Sequence, residues 1–283
     1  MVNVKRKQWI HHKHELTKFE QAIINAHPDN LINATAEGPR GRGKSMFCFI
    51  TMTRIFQYLE GIHVDDAYYR ALDHFLFTLP EVLATIDKVI NNTDFSNIRK
   101  YDAENKYRIL TMDDVGTHMG KYRFYIDVES VDDLKGKLDT IRDVTNGLLM
   151  TAPALEGLLS FLRDYPDNKI ISLAYDKAGN TKYDRIIEVR EKRKKWARRG
   201  RLAYPPIKTS IYVDNWAYDE YKIRKRKALQ KLFSRNKKSS QNEIIRLFKT
   251  VKKLNPDLKQ KDIIEKLGLP DEALDALKNY HSK

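Results

Sequence analysis

Gly38-Pro39-Arg40-Gly41-Arg42-Gly43-Lys44-Ser45 is the stretch on which the reading of this chain turns. It fits the pattern G-x-x-x-x-G-K-S. Leu31 to Ala36 before it read as a short strand, and Ser45 to Glu60 after it as a helix ended by Gly61. The apolar face of that helix takes in Phe47, Phe49, Ile50, Ile55, Phe56 and Leu59. A glycine-rich loop between a strand and a helix lets backbone N–H groups turn inward toward phosphate oxygens, where a Cβ would obstruct. Lys44 offers a point charge to the β- and γ-phosphates, the Ser45 hydroxyl a ligand for Mg²⁺, and the helix its positive N-terminal end. The expected nucleotide contacts are Gly38, Pro39, Arg40, Gly41, Arg42, Gly43, Lys44, Ser45 and Met46, with ATP and Mg²⁺ as cofactors.

A loop of this kind needs a carboxylate for the metal. Ile109-Leu110-Thr111-Met112-Asp113-Asp114 supplies one: a buried strand ending in two acids, the Walker B arrangement. Asp113 is the expected metal ligand, direct or through water, and Asp114 the group that orients or deprotonates the attacking water. Gly147-Leu148-Leu149-Met150 reads as a second buried strand, ending at Thr151 beside the expected γ-phosphate position. Asn146 lies at its far end. Arg142 and Arg163 are candidates for an arginine that neutralises the transition state in an oligomer. Asp113-Asp114-Val115-Gly116 also satisfies D-x-x-G, and Thr181-Lys182-Tyr183-Asp184 resembles a guanine-reading T-K-x-D. That tetrapeptide follows a hairpin turn, not a buried parallel strand, so ATP is expected rather than GTP.

Charge locates a second function. From Arg190 to Lys238 there are 18 lysines and arginines against four acids, an excess of 14 that equals the net charge of the whole chain. A cationic excess confined to about fifty residues is a patch for a polyanion. Its densest part, with Lys192, Arg193, Lys194, Lys195, Trp196, Arg198, Arg199 and Arg201, combines phosphate-neutralising cations with an indole able to stack. DNA is the expected partner, held mainly through its phosphate backbone. Hydrophobic residues make up 41% of the 283, an ordinary globular share. No apolar run is long enough to span a membrane, which points to the cytoplasm of a cell. A single cysteine, Cys48, excludes an internal disulfide framework. His11, His12 and His14 lack companion ligands at a metal spacing.

Helical spacing over residues 15–26, 64–75 and 79–91, alternating with short apolar strands, predicts an α/β fold with a mostly parallel sheet covered on both faces. After Arg163 the pattern changes: Lys169–Tyr175 and Arg185–Lys192 flank a turn and read as a hairpin, which Lys208–Val213 extends. Trp216–Phe233 has helical spacing and carries Lys222, Arg224, Lys225, Arg226 and Lys227. Beyond a polar linker, three short helices suggest a helix-turn-helix tail. The expected division is a P-loop NTPase core over 1–165, a basic β-containing extension with its helix over 166–234, and a linker with a trihelical tail over 235–283.

Together these motifs resemble the DnaA-like P-loop (AAA+-type) ATPases of fuselloviruses, the spindle-shaped archaeal viruses, and of related archaeal plasmids. The resemblance covers roughly residues 20–233. It rests on Ile23-Ile24-Asn25-Ala26-His27, Gly38–Ser45, Asp113-Asp114 followed by Gly116, Ile141-Arg142, the Gly147–Pro153 segment, and Trp216-Ala217-Tyr218-Asp219-Glu220-Tyr221. It implies an oligomeric ATPase acting on DNA in viral or plasmid replication. A DNA-translocating or packaging motor, and a nucleotide-switched DNA-binding regulator with little hydrolysis, are the alternative readings.

Overall fold

A computed structural model describes residues 16–26, 30–91, 107–115, 128–138, 140–155, 158, 160–165, 167–192 and 200–230. The chain divides into two compact units, Met1–Lys222 and Ile223–Lys283. In the second, residues 223–230 are described and are helical.

The first unit is built on a seven-stranded sheet. β1 (Ile32–Glu37) lies at its centre, between β4 (Gly147–Ala152) and β5 (Lys169–Tyr175). β3 (Leu110–Met112) lies beyond β4, and β2 (Phe75–Leu76) forms that edge. These five run parallel to one another. β6 (Asp184–Glu191) and β7 (Ile207–Ser210) complete the order β2-β3-β4-β1-β5-β6-β7 as antiparallel strands. The mostly parallel α/β sheet expected from the sequence is therefore present, and the hairpin extension continues it rather than forming another layer. β4 is buried along its whole length, as a continuous apolar run in the middle of a parallel sheet must be.

Helices cover the sheet. α1 (Lys18–Asn25) opens with a capping box in which Thr17 and Glu20 each bond the other's backbone N–H. α2 (Lys44–Glu60) runs from Gly43 to Gly61, both with left-handed backbone. Phe47, Cys48, Phe49, Met52, Ile55 and Phe56 are all buried, a wider apolar face than a surface helix carries. α3 (Val64–Asp73) packs on α2. α4 (Leu79–Asn91) sets Leu79, Val82, Ile86 and Val89 on one stripe at helical spacing. That stripe joins α5 (Val128–Leu138), α6 (Ile141–Val144) and α7 (Ser160–Arg163) in one core through Leu134, Ile141 and Leu162. Residues 215–222 are helical and bury Ala217 and Tyr221.

Expected boundaries move at two places: the strand read over Lys208–Val213 runs over Ile207–Ser210, and a helix end becomes a strand. The helix read over 64–75 stops at Asp73, and Phe75 opens β2 instead of closing the helix. The Thr111 N–H bonds the His74 carbonyl at 3.0 Å and the Asp113 N–H bonds the Leu76 carbonyl at 2.8 Å. Two residues are too few to show period-two alternation, so pairing with β3 overrides a local helical pattern. The helix-turn-helix tail over 235–283 lies outside the described residues, as do His11, His12 and His14. No helix among the described residues is long and apolar enough to cross a membrane.

Candidate nucleotide site

Strand register brings the site together. Met112 of β3 is level with Met150 of β4, which is level with Thr35 of β1. One residue further on, Asp113, Thr151 and Ala36 therefore emerge in a row at the carboxyl ends of the three strands. In an open α/β sheet that edge is where ligands bind. The loop over 38–43 leaves β1 there and enters α2.

The loop is curled around Lys44. Its ammonium donates to the carbonyls of Gly38 at 2.6 Å and Pro39 at 2.9 Å. Gly38 and Gly41 have positive φ, and Gly43 sits at +92°. Its backbone angle favours glycine, and a Cβ there would also have to displace the tip of the Ile211 side chain. Arg40 and Gly41 are exposed at the tip; Arg42 and Met46 are half-buried.

Asp113 is fully buried and accepts three hydroxyls. Ser45 donates to its Oδ1 at 2.6 Å, Thr151 donates to the same oxygen at 2.8 Å, and Tyr221 donates to Oδ2 at 2.7 Å. The Thr151 oxygen in turn accepts the backbone N–H of Asp114 at 2.7 Å. Asp114 has φ +53°, a left-handed conformation uncommon for a residue with a side chain. Ser45, Asp113, Asp114 and Thr151, proposed separately from three stretches of sequence, thus form one hydrogen-bonded cluster. This is a P-loop NTPase fold.

Tyr221 is a member the sequence reading did not assign. Burial, then the charge of Asp113, pushes its phenol well above the ordinary tyrosine value, so it stays a donor. Cys48, one turn beyond Lys44, is pushed up by the same two causes and is a small core residue, not a nucleophile.

Arg185 was also missed. It is buried, and its guanidinium donates to the carbonyl of Arg42 at 3.1 Å and to those of Lys182 and Asp184 at 2.8 and 2.9 Å. Its flat face covers the ring of Tyr175 at 4.0 Å. The start of β6 is thereby tied to the phosphate loop. Arg185→Ala is expected to lower unfolding free energy by about 3 kcal/mol, since three carbonyls lose a charged donor. Urea denaturation measures this, and a loss below about 1 kcal/mol would mean water replaces the guanidinium at little cost.

Other candidates have different surroundings. Thr181 and Asp184 close the β5–β6 turn: the Thr181 N–H and hydroxyl donate to the Asp184 carboxylate at 2.8 and 2.9 Å. The T-K-x-D resemblance is thus a turn-closing pair. Asn146 donates to the carbonyl of Asn30 at the opposite end of β4. Arg142, on α6 ahead of that same end, is exposed and 3.9 Å from Asp143. Arg163 donates to both carboxylate oxygens of Asp164. Lys192 bonds the Arg163 carbonyl and pairs with Asp164 at 2.6 Å. These two cations hold the Asp164 carboxyl well below the usual range. Arg201 is exposed. Arg193, Lys194, Lys195, Trp196, Arg198 and Arg199 lie outside the described residues.

No protein-family profile matches the chain, and no curated protein matches it in sequence. Among solved structures it is similar to a KaiC-like protein from the hyperthermophilic archaeon Pyrococcus horikoshii, at 15% identity and TM-score 0.34, over 62% of this chain and 84% of that one. It is similar to a separately solved ATPase domain at 10% identity and TM-score 0.36, over 66% of this chain and 83% of that domain. A third is a DnaB-like replicative helicase at 8% identity and TM-score 0.34, over 63% of this chain; the match spans 54% of the helicase. These likenesses are too distant to carry a function across.

Proposed function

We propose that this chain is an ATPase that binds ATP and Mg²⁺ at the phosphate loop and acts on DNA through its basic segment. The observation that supports it best is the convergence of Lys44, Ser45, Asp113, Asp114 and Thr151 at one end of the sheet.

The donors suit magnesium. Ser45 and Asp113 offer hard oxygens, and no group of three or more His, Cys, Asp or Glu among the described residues is arranged to hold a metal by itself. That fits an ion held by one or two protein oxygens plus the phosphates of its substrate. Bound there, Mg²⁺ supplies positive charge to the phosphate oxygens. The chain does the rest. The backbone N–H groups from Gly38 to Met46 cradle the phosphates, and Lys44 moves its ammonium from the loop carbonyls to phosphate oxygens. Asp114 accepts the proton of the attacking water or orients it. Thr151, which donates to the Asp113 carboxylate and accepts the Asp114 backbone N–H, relays to that turn whether a γ-phosphate is present.

Lys192, Arg193, Lys194, Lys195, Trp196, Arg198, Arg199 and Arg201 are the proposed DNA contacts, and assembly into a homo-oligomer is part of the proposal. The resemblance to fusellovirus and plasmid ATPases supports a role in replication or maintenance of such an element. The test is steady-state ATP hydrolysis with Mg²⁺, with and without plasmid DNA. Turnover that DNA stimulates is the expected result. Binding of ATP without turnover would favour a nucleotide-switched regulator, and DNA-indifferent turnover would separate the basic segment from the ATPase.

DNA affinity is expected to fall log-linearly with salt, with a slope of about 0.9 per phosphate neutralised. Replacing Lys192, Arg193, Lys194 and Lys195 together by Ala should flatten that slope by about 3, a little under four full contacts, because Lys192 shares its charge with Asp164. An unaltered slope in a filter-binding titration would remove this segment from the DNA surface.

A further inference from the structure

The carboxylate of Asp113 is fixed at two points, and the second comes from a residue far along the chain. Ser45 and Thr151 both donate to Oδ1. Oδ1 lies off the Cβ–Cγ axis, so those two bonds already limit turning of the group, although the torsion itself is broad. The Tyr221 hydroxyl, 2.7 Å from Oδ2, holds the opposite side of the group. The phenol is itself placed firmly. Tyr221 is buried, and the rings of Phe75 and Phe77 each lie 5.6 Å from its own. Phe75 belongs to β2, which pairs with β3, the strand that delivers Asp113. Anchor and acid therefore rest on adjacent strands of one sheet.

We propose that Tyr221 is a positioning residue of the nucleotide site, which holds the Oδ2 side of the Asp113 carboxylate and thereby raises the affinity of the site for metal-bound nucleotide. The inference rests on the reading of Lys44, Ser45 and Asp113 as a phosphate and metal site. Ser45 and Thr151 hold one oxygen of the acid and Tyr221 the other, so the three donors together fix how the carboxylate presents itself to a metal or its water.

The experiment compares wild type with Tyr221→Phe, which keeps the ring and its packing and removes one hydroxyl. Affinity for a fluorescent ATP analogue is titrated in EDTA and again in saturating Mg²⁺. The wild type should bind more tightly with Mg²⁺. In Tyr221→Phe that gain should shrink about tenfold, the effect of one hydrogen bond to a charged group, while affinity in EDTA stays within about twofold. Equal losses with and without metal would make Tyr221 merely structural and overturn the proposal. No change in either condition would overturn it as well. A wild type that gains nothing from Mg²⁺ would instead overturn the nucleotide-site reading, and this inference with it.

Discussion

Lys44→Ala is expected to lower ATP turnover by on the order of 10³-fold, the scale lost when one preorganised charge at a reacting group is removed. The ammonium lies 2.6 and 2.9 Å from the carbonyls of Gly38 and Pro39, so the loop is shaped around it. Alanine removes the cation aimed at the phosphates and leaves those two carbonyls to water. Folding should hardly change, because the side chain is only half-buried and the loop stays bounded by β1 and α2. Turnover and the urea midpoint measured on the same preparation separate the two effects. Activity within tenfold of wild type would show that the phosphates are not held here.

The second large effect is expected at Asp113. In Asp113→Asn, turnover should fall by about 10²-fold or more and lose its dependence on Mg²⁺ concentration. Two changes act together. The negative charge that favours a cation disappears, and an NH₂ group takes the place of one carboxylate oxygen. Whichever way the amide turns, a hydroxyl that now donates to the carboxylate meets another donor: Tyr221 on one side, Ser45 and Thr151 on the other. An unmatched buried hydroxyl costs about 1–3 kcal/mol, so a modest loss of stability accompanies the loss of activity. A variant with wild-type Mg²⁺ dependence would mean that the metal is held by other groups.

How far these sites could be read in the sequence follows from how local their parts are. The loop over 38–45 is eight consecutive residues, and its strand and helix flank it directly, so it was legible at once. Asp113 and Thr151 each follow a short, continuously apolar run, and buried parallel strands leave that signature. What escaped was held by distant pairs. Tyr221 meets Asp113 across 108 positions, and Arg185 meets Arg42 across 143. No local pattern encodes such contacts. A weak signal did exist for the tyrosine: Ala217 and Tyr221 are four residues apart, hence on one helical face, and both are buried. β2 was missed because two residues cannot display a period. The charge patch was plain in the composition, yet Lys192 turned out to be engaged with Asp164, an exposed ion pair that composition alone cannot reveal.

The outer strands of the sheet bear on how copies of this chain can meet. Among the described residues β2 has two residues and β7 four, so each of these outer strands presents only a few backbone groups outward. Rims this short are poor templates for another chain to lengthen the sheet, and they also protect against edge-to-edge aggregation. In the proposed homo-oligomer, contacts made by side chains on helices and loops would leave the subunits freer to tilt than a sheet zipped continuously across the junction.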